Sequence, residues 1–229
     1  MWSLTAAKTF ARKCIMEKIE LKHTLPNVFA GRENTASDIW LQDIALLKGK
    51  RYLIAAESGT GKSSLCAFIY GYRNDYSGTI AFDQRDVRTM NIDDWCRVRC
   101  EHIAYMPQEM RLFPELTALE NVELKNRITQ HKTRQEIEGL FEVLGIADKM
   151  QSTVARLSIG QQQRVAVIRT LCQTADFFLL DEPVSHLDET NNRTVARLVT
   201  DEAAKQGAGI IATSVGNHLQ LDVDQTFNL

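Results

Sequence analysis

Apolar positions along the chain switch repeatedly between a period of two and a period near three and a half. Ile19 to His23 and Ile39 to Leu47 carry the alternation suited to short strands. Arg51 to Ala56 is an apolar run that enters a glycine-containing turn, and a helix is predicted from about Lys62 to Tyr72. Ser77-Gly78 punctuates before another short strand, Thr79 to Phe82. His102 to Met106 reads as a buried strand stopped by Pro107, because proline pushes the preceding residue toward extended backbone. Gln108 then falls just past a strand end, where open α/β sheets usually meet their ligands.

Helical spacing returns from about Thr117 to Asn126 and from Thr133 to Leu144, where Ile137, Leu140, Phe141 and Leu144 form one stripe. A helix after Gln161 reaches about Thr174 and leads into a buried strand, Phe177 to Leu180. A second helix, about Glu189 to Lys205, leads into the strand Ile210 to Thr213. Helices alternating with wholly apolar strands imply an α/β fold with a mainly parallel sheet. The expected division is a single domain over 16–229, its core at about 16–108 and 158–229, with a helical insert at about 109–157. No internal repeat or low-complexity tract is present.

Composition narrows this picture. The 229 residues suffice for one α/β domain with a good core. Basic and acidic side chains number 27 and 29, for a net charge of −2, and are spread along the chain, which argues against nucleic acid as a partner. No apolar run approaches the roughly 18–20 residues that cross a bilayer. Five cysteines show no paired zinc spacing and read as reduced thiols with no metal cluster. Residues 1–15 carry Lys8, Arg12 and Lys13 and no acid. They form an N-terminal extension, which resembles a transit peptide or basic anchor but reads more simply as a loosely held segment or an upstream start, with Met16 beginning the folded unit.

Three strings carry chemistry. Ala56-Glu57-Ser58-Gly59-Thr60-Gly61-Lys62-Ser63 has the form of a Walker A loop. Its glycines let backbone N–H groups close around a phosphate ahead of a helix N-terminus, Lys62 adds a point charge, and the Ser63 hydroxyl suits Mg²⁺. Phe177 to Glu182 is an apolar strand ending in two carboxylates, a Walker B segment. Asp181 is then the residue for hydrated Mg²⁺, and Glu182 the base for an attacking water. Ser158 and Gln161 satisfy a capping-box pattern before the apolar positions Val165, Ile168, Leu171 and Cys172. That predicts another helix N-terminus, hence another place an anion can bind.

Taken in order, the Walker A loop, Gln108 with Leu112-Phe113-Pro114, Leu157 to Arg164, the Walker B strand and Ser185-His186-Leu187-Asp188 resemble the ATP-binding subunit of an ABC transporter. The resemblance covers nearly everything from Met16 onward. It implies a RecA-like P-loop NTPase core, an antiparallel β subdomain near the N-terminus and an inserted α-helical subdomain. It further implies that Ser58, Gly59, Thr60, Gly61, Lys62, Ser63 and Ser64 bind nucleotide, that Ser63, Gln108 and Asp181 hold Mg²⁺, and that Glu182 and Gln108 act on the water. Ser158, Gly160 and Gln161 would meet the γ-phosphate held by a second subunit, and Asp188 would cross the dimer seam. The implied partners are a second copy or paired ABC subunit and a transmembrane permease. The implied location is cytoplasmic, at the inner face of the membrane.

The chain departs from the family pattern at three positions. Ala56 stands where the first loop glycine often is. Ile159 replaces a signature glycine, but at the first helical position after a serine cap its backbone is expected to be helical and unstrained. Thr213-Ser214 stands where the family has Thr-His after the last core strand, which predicts slowed hydrolysis. His218, four residues on, could substitute only if the chain bends sharply after that strand. An aromatic for adenine is hard to place: Phe29 is a candidate, and an ordinary core phenylalanine is the equal reading.

The leading function is thus ATP hydrolysis coupled to transport. The stretch Leu116 to Val122 and the short chain look more like lipoprotein-releasing or macrolide-export ATPases than like sugar importers. Two alternatives stand beside it. One is a regulatory nucleotide-binding module with weak hydrolysis, motivated by Ser214 and Ile159. The other is a non-transport ABC ATPase, although the stretch from Lys62 to Leu157 is too short for the long coiled coil of repair-type relatives.

Overall fold

A computed structural model describes residues 15–31, 37–57 and 59–229. The first half runs β1 (Lys18–Pro26), β2 (Asp43–Leu47), β3 (Arg51–Ala55), α1 (Lys62–Ile69), β4 (Tyr76–Phe82), β5 (Arg85–Asp86), α2 (Ile92–Arg97) and β6 (Ile103–Met106). The second half runs α3 (Ala118–Thr129), α4 (Arg134–Val143), α5 (Ile159–Leu171), β7 (Phe177–Asp181), α6 (Glu189–Gln206), β8 (Gly209–Ser214) and β9 (Gln225–Asn228). An antiparallel sheet has the order β2-β1-β4-β5, and a second sheet, parallel throughout, has the order β6-β7-β8-β3-β9.

The parallel sheet is covered on both faces, which is why β7 and β8 are apolar at nearly every position. Phe177 and Leu179 pack with Ile211 and Ile54 in one core, together with the inner residues of β1 and β4. Phe178 and Leu180 pack with Ile210 and Ala212 in the other, against α3 to α6. Register then fixes the site: Ala55 lies opposite Ser214, and Asp181 opposite Thr213. Three strand ends, β3, β7 and β8, thus open side by side, at the crevice where α/β sheets bind ligands.

Helices α3, α4 and α5 each start at a reciprocal capping box, formed by Thr117 with Glu120, Thr133 with Glu136 and Ser158 with Gln161. Among the described residues, no helix is long and apolar enough to cross a membrane. Of the expected N-terminal extension, only Ile15 lies within the described residues.

Several element boundaries differ from the periodicity: β4 starts at Tyr76 and runs through Ser77-Gly78, α5 stops at Leu171 short of Thr174, and two further differences have a visible cause. The strand expected from Ile39 begins only at Asp43. The Ser37 hydroxyl accepts hydrogen bonds from the amides of Ile39 and Trp40, and Leu41 turns with φ +62°, so residues 37–42 form a turn that buries Trp40. The helix expected to reach Tyr72 stops at Ile69. Gly71 then adopts φ +69°, and the Trp95 ring lies so close that a Cβ there would sit 2.5 Å from it. Neither α2 nor β9 was visible in the apolar spacing; each is short and largely polar.

Candidate active site

The loop after β3 wraps the start of α1. Gly59 and Gly61 take φ +84° and +102°, and a Cβ on Gly61 would lie 3.0 Å from the rings of both Phe29 and Trp40. Those two rings form an apolar floor, and the Trp40 indole N–H donates to the Thr60 carbonyl at 3.1 Å. Phe29 is therefore a buried support beneath the loop, the plainer of its two sequence readings. Ser58 lies outside the described residues.

Lys62 is buried, and its ammonium donates to the Glu57 and Ala56 carbonyls at 2.8 and 3.4 Å, so the loop curls around its own cation. Thr60 Oγ1 also donates to the Glu57 carbonyl, at 2.8 Å. The Ser64 hydroxyl accepts from Arg73 Nη1 at 2.9 Å, which leaves its backbone N–H as the group suited to a phosphate.

Three elements meet at the strand ends. Ser63 Oγ donates to Gln108 Oε1 at 3.4 Å, and Gln108 Nε2 donates to Glu182 Oε2 at 3.2 Å. Asp181 accepts from Thr213 Oγ1 at 2.6 Å. Burial pushes the Asp181 carboxyl up from its ordinary value, and hydrogen bonds from Thr213 and Ser63 only partly offset this. A buried carboxylate so placed is stabilised by a cation. Glu182 sits with φ +51°, a left-handed conformation unusual for glutamate, and its amide is held by the Thr213 carbonyl at 3.3 Å and hydroxyl at 3.2 Å.

Among the described residues, Ser158 and Gln161 at the start of α5 hydrogen-bond each other and not these groups. Ser158 Oγ accepts from the Gln161 amide at 3.3 Å, and Gln161 Oε1 accepts from the Ser158 amide at 2.9 Å, with Ser158 exposed. Ile159 is the first helical residue, as its position predicts, and is 54% exposed. Gly160 faces the His186 carbonyl, 3.0 Å from where a Cβ would be. Asp188 caps α6, accepting from the Asn191 amide at 2.8 Å, and these bonds hold its carboxyl below the ordinary range.

Sequence reasoning missed Gln163. It is buried, donates to the Glu182 carbonyl at 3.1 Å and the Ser185 hydroxyl at 3.2 Å, and accepts from the His186 amide at 2.9 Å. One turn of α5 is thereby fastened to the segment that carries Glu182. At the end of β8 the chain does bend: Gly216 takes φ +74°, Asn217 N donates to the Val215 carbonyl at 2.8 Å, and His218 Nδ1 returns to bond the Ser214 hydroxyl. The Ser214 carbonyl accepts from the Ala56 amide at 3.3 Å, so this pair adjoins the phosphate loop.

A glycine loop under a helix N-terminus, a lysine inside it and two carboxylates at the end of β7, with β8 between that strand and β3, define a nucleotide-binding P-loop ATPase. The sequence model of the family described as ABC transporter matches residues 42–185, and the chain belongs to that family, as an ATP-binding subunit. A macrolide export ATP-binding/permease protein of Rhodopseudomonas palustris (strain BisB18) is 33% identical over 74% of this chain and 26% of that relative. A lipoprotein-releasing system ATP-binding protein of Shewanella frigidimarina (strain NCIMB 400) is 27% identical over 82% of this chain and 80% of the relative. The dimeric structure of MJ0796, a bacterial ABC transporter cassette, superposes with a TM-score of 0.72 at 24% identity, over 86% of this chain and 87% of that one. The likeness confirms the α/β architecture of the antiparallel and parallel sheets with their helices.

Proposed function

We propose that two copies of this chain, or this chain and a paired ABC subunit, close around ATP and drive a permease at the inner face of a membrane. The hydrogen-bonded chain Ser63, Gln108, Glu182 carries the reading, because it joins the phosphate loop, the segment after β6 and the acidic strand end in one network. Lys62 releases the Glu57 and Ala56 carbonyls to meet the β- and γ-phosphates, and the N–H groups of residues 59–64 cradle them. Glu182 takes a proton from the attacking water, which Gln108 orients.

The oxygen donors Ser63 Oγ, Gln108 Oε1 and the Asp181 carboxylate fit a hard cation, and the raised Asp181 carboxyl is what such a cation would reverse. Bound Mg²⁺ neutralises charge on the phosphate oxygens. Ser158, Gly160 and Gln161 present the second anion-binding helix start to the ATP of the opposite protomer, with Asp188 at the seam. Support for the permease comes from the relative that joins such a domain to a permease in one polypeptide. A basic and aromatic groove of about 250 Å³, lined by Tyr72, Arg111, Phe113, Leu124, Lys125 and Ile128, adjoins Gln108 and suits that contact.

Hydrolysis is slow relative to a site with an imidazole at position 214, since a serine hydroxyl is shorter and uncharged. Losing one preorganised contact of this kind costs about 10²–10³ in rate. Glu182→Gln should bind ATP, fail to turn it over and accumulate a dimer in light scattering. A Glu182→Gln protein that stays monomeric with ATP and hydrolyses at the wild-type rate would refute the reading. ATP binding and closure with no turnover in the wild type, permease present, would instead favour the regulatory module.

A further inference from the structure

Ser214 is the buried last residue of β8, and its hydroxyl bonds the Nδ1 of His218 across the sharp turn at Gly216. The turn is fastened from two sides. Buried Asn192, on α6, donates to the His218 carbonyl at 2.8 Å and to Asn217 Oδ1 at 3.1 Å, and accepts from the Gln220 amide at 3.1 Å. Asn217 Nδ2 donates to the Val184 carbonyl at 3.0 Å, two residues past Glu182. A loop needing only solubility has no use for two amides and a buried hydroxyl that together set one imidazole. The ring is exposed, and its Nε2 bonds nothing among the described residues.

On the functional reading above, we propose that His218 donates a hydrogen bond from Nε2 to the terminal phosphate of ATP, with Ser214 as the residue that positions it. Of the two tautomers this bond allows, the one the proposal requires has the Ser214 hydroxyl donating to Nδ1, which leaves the ring's own hydrogen on Nε2. A ring N–H donated to an anionic oxygen makes a strong charge-assisted bond. Position matters as much as chemistry. Ser214 lies beside Ala55 and next to Thr213, whose hydroxyl and carbonyl hold Asp181 and the Glu182 amide, so a ring anchored there stands at the rim shared by the phosphate loop and the acidic strand end. The imidazole is thus supplied from a turn four residues later rather than from the strand itself. Held by a longer tether, it recovers part of the contact that serine at 214 gives up.

The test is steady-state ATP hydrolysis by the full chain with its permease, with a thermal melt on each variant. His218→Ala should lower kcat about 10²-fold with little change in KM for ATP. Ser214→Ala should lower kcat less, because the ring remains but is no longer oriented. Ser214→His combined with His218→Ala should return kcat to near or above wild type, and His218→Gln, which keeps a donor, should recover part of the loss. A His218→Ala protein as fast as wild type overturns the inference. So does a loss that neither the double variant nor His218→Gln recovers, which would mean that the ring only fastens the turn. Wild-type turnover that Glu182→Gln abolishes and His218→Ala leaves intact defeats this inference alone, whereas turnover untouched by Glu182→Gln defeats the functional reading beneath it.

Discussion

At the scale of single residues, Ser63, Gln108, Asp181 and Glu182 are each held by a partner from another element. Lys62 is held by its own loop. With its ammonium on the Glu57 and Ala56 carbonyls, the loop is already curled toward the shape that a phosphate requires. Lys62→Ala should therefore lose both the charge and the curl, and ATP affinity in a fluorescent-nucleotide titration should fall at least tenfold; unchanged affinity would show that the backbone N–H groups suffice. Gln163→Ala should leave the His186 amide without its acceptor, at a cost of about 1–3 kcal/mol, and free the Glu182 carbonyl. Hydrolysis should drop while ATP affinity holds, and equal losses in both would assign Gln163 to the fold alone. Legibility divides along the same line. Lys62, Ser63, Gln108, Asp181 and Glu182 could be proposed from the sequence because phosphate and metal chemistry demands those types at set distances from a strand or helix end, and the structure joins Ser63, Gln108 and Glu182 by hydrogen bonds. Gln163, Thr213 and Trp40 were not, since side chains that brace backbone 19, 31 and 20 residues away leave no spacing to detect.

Elements were legible where their ends are chemically marked. The capping box read at Ser158 and the helical spacing that starts at Thr117 and Thr133 placed three helix starts to within a residue or two, whereas the turn set by Ser37 and the stop imposed by Trp95 on Gly71 depend on distant packing. The link between α6 and the turn joining α3 to α4 was equally hidden. Glu202 on α6 accepts from His131 Nε2 at 2.6 Å, Lys132 Nζ at 2.7 Å and Gln206 Nε2 at 2.7 Å. Burial alone would raise its carboxyl, but these hydrogen bonds and the Lys132 charge outweigh that and bring it down to about 2 from an ordinary 4.5. A carboxyl depressed by folding contributes its full stability above the ordinary value and loses it as pH falls through the folded one. Glu202→Gln should thus lower Tm by roughly 3–6 °C at pH 7. The gap between the two proteins should narrow as pH drops from 4.5 toward 2. A gap that stays constant across that window would place the destabilisation in packing instead of charge.

For the molecule as a whole, the decisive property is that the two helix starts proposed to bind phosphate, at Lys62 and at Ile159, belong to different elements, α1 and α5. One chain can bind ATP at the first and leave the second unsatisfied, so ATP itself should supply the glue for association. Ser158→Arg should abolish the ATP-dependent dimer in light scattering and leave monomer binding nearly intact; a dimer that forms without nucleotide and survives Ser158→Arg would refute this. The sheet order adds a constraint of another kind. Strand β3, which precedes the phosphate loop, is flanked among the described residues by β8 and β9, so both of these neighbours come from residues 209–228. During synthesis the loop is made early but its strand has nothing to pair with until that late stretch leaves the ribosome. A stalled or truncated product lacking it would leave the strand behind the phosphate loop unpaired on both sides, and so should fail to hold that loop in shape for nucleotide.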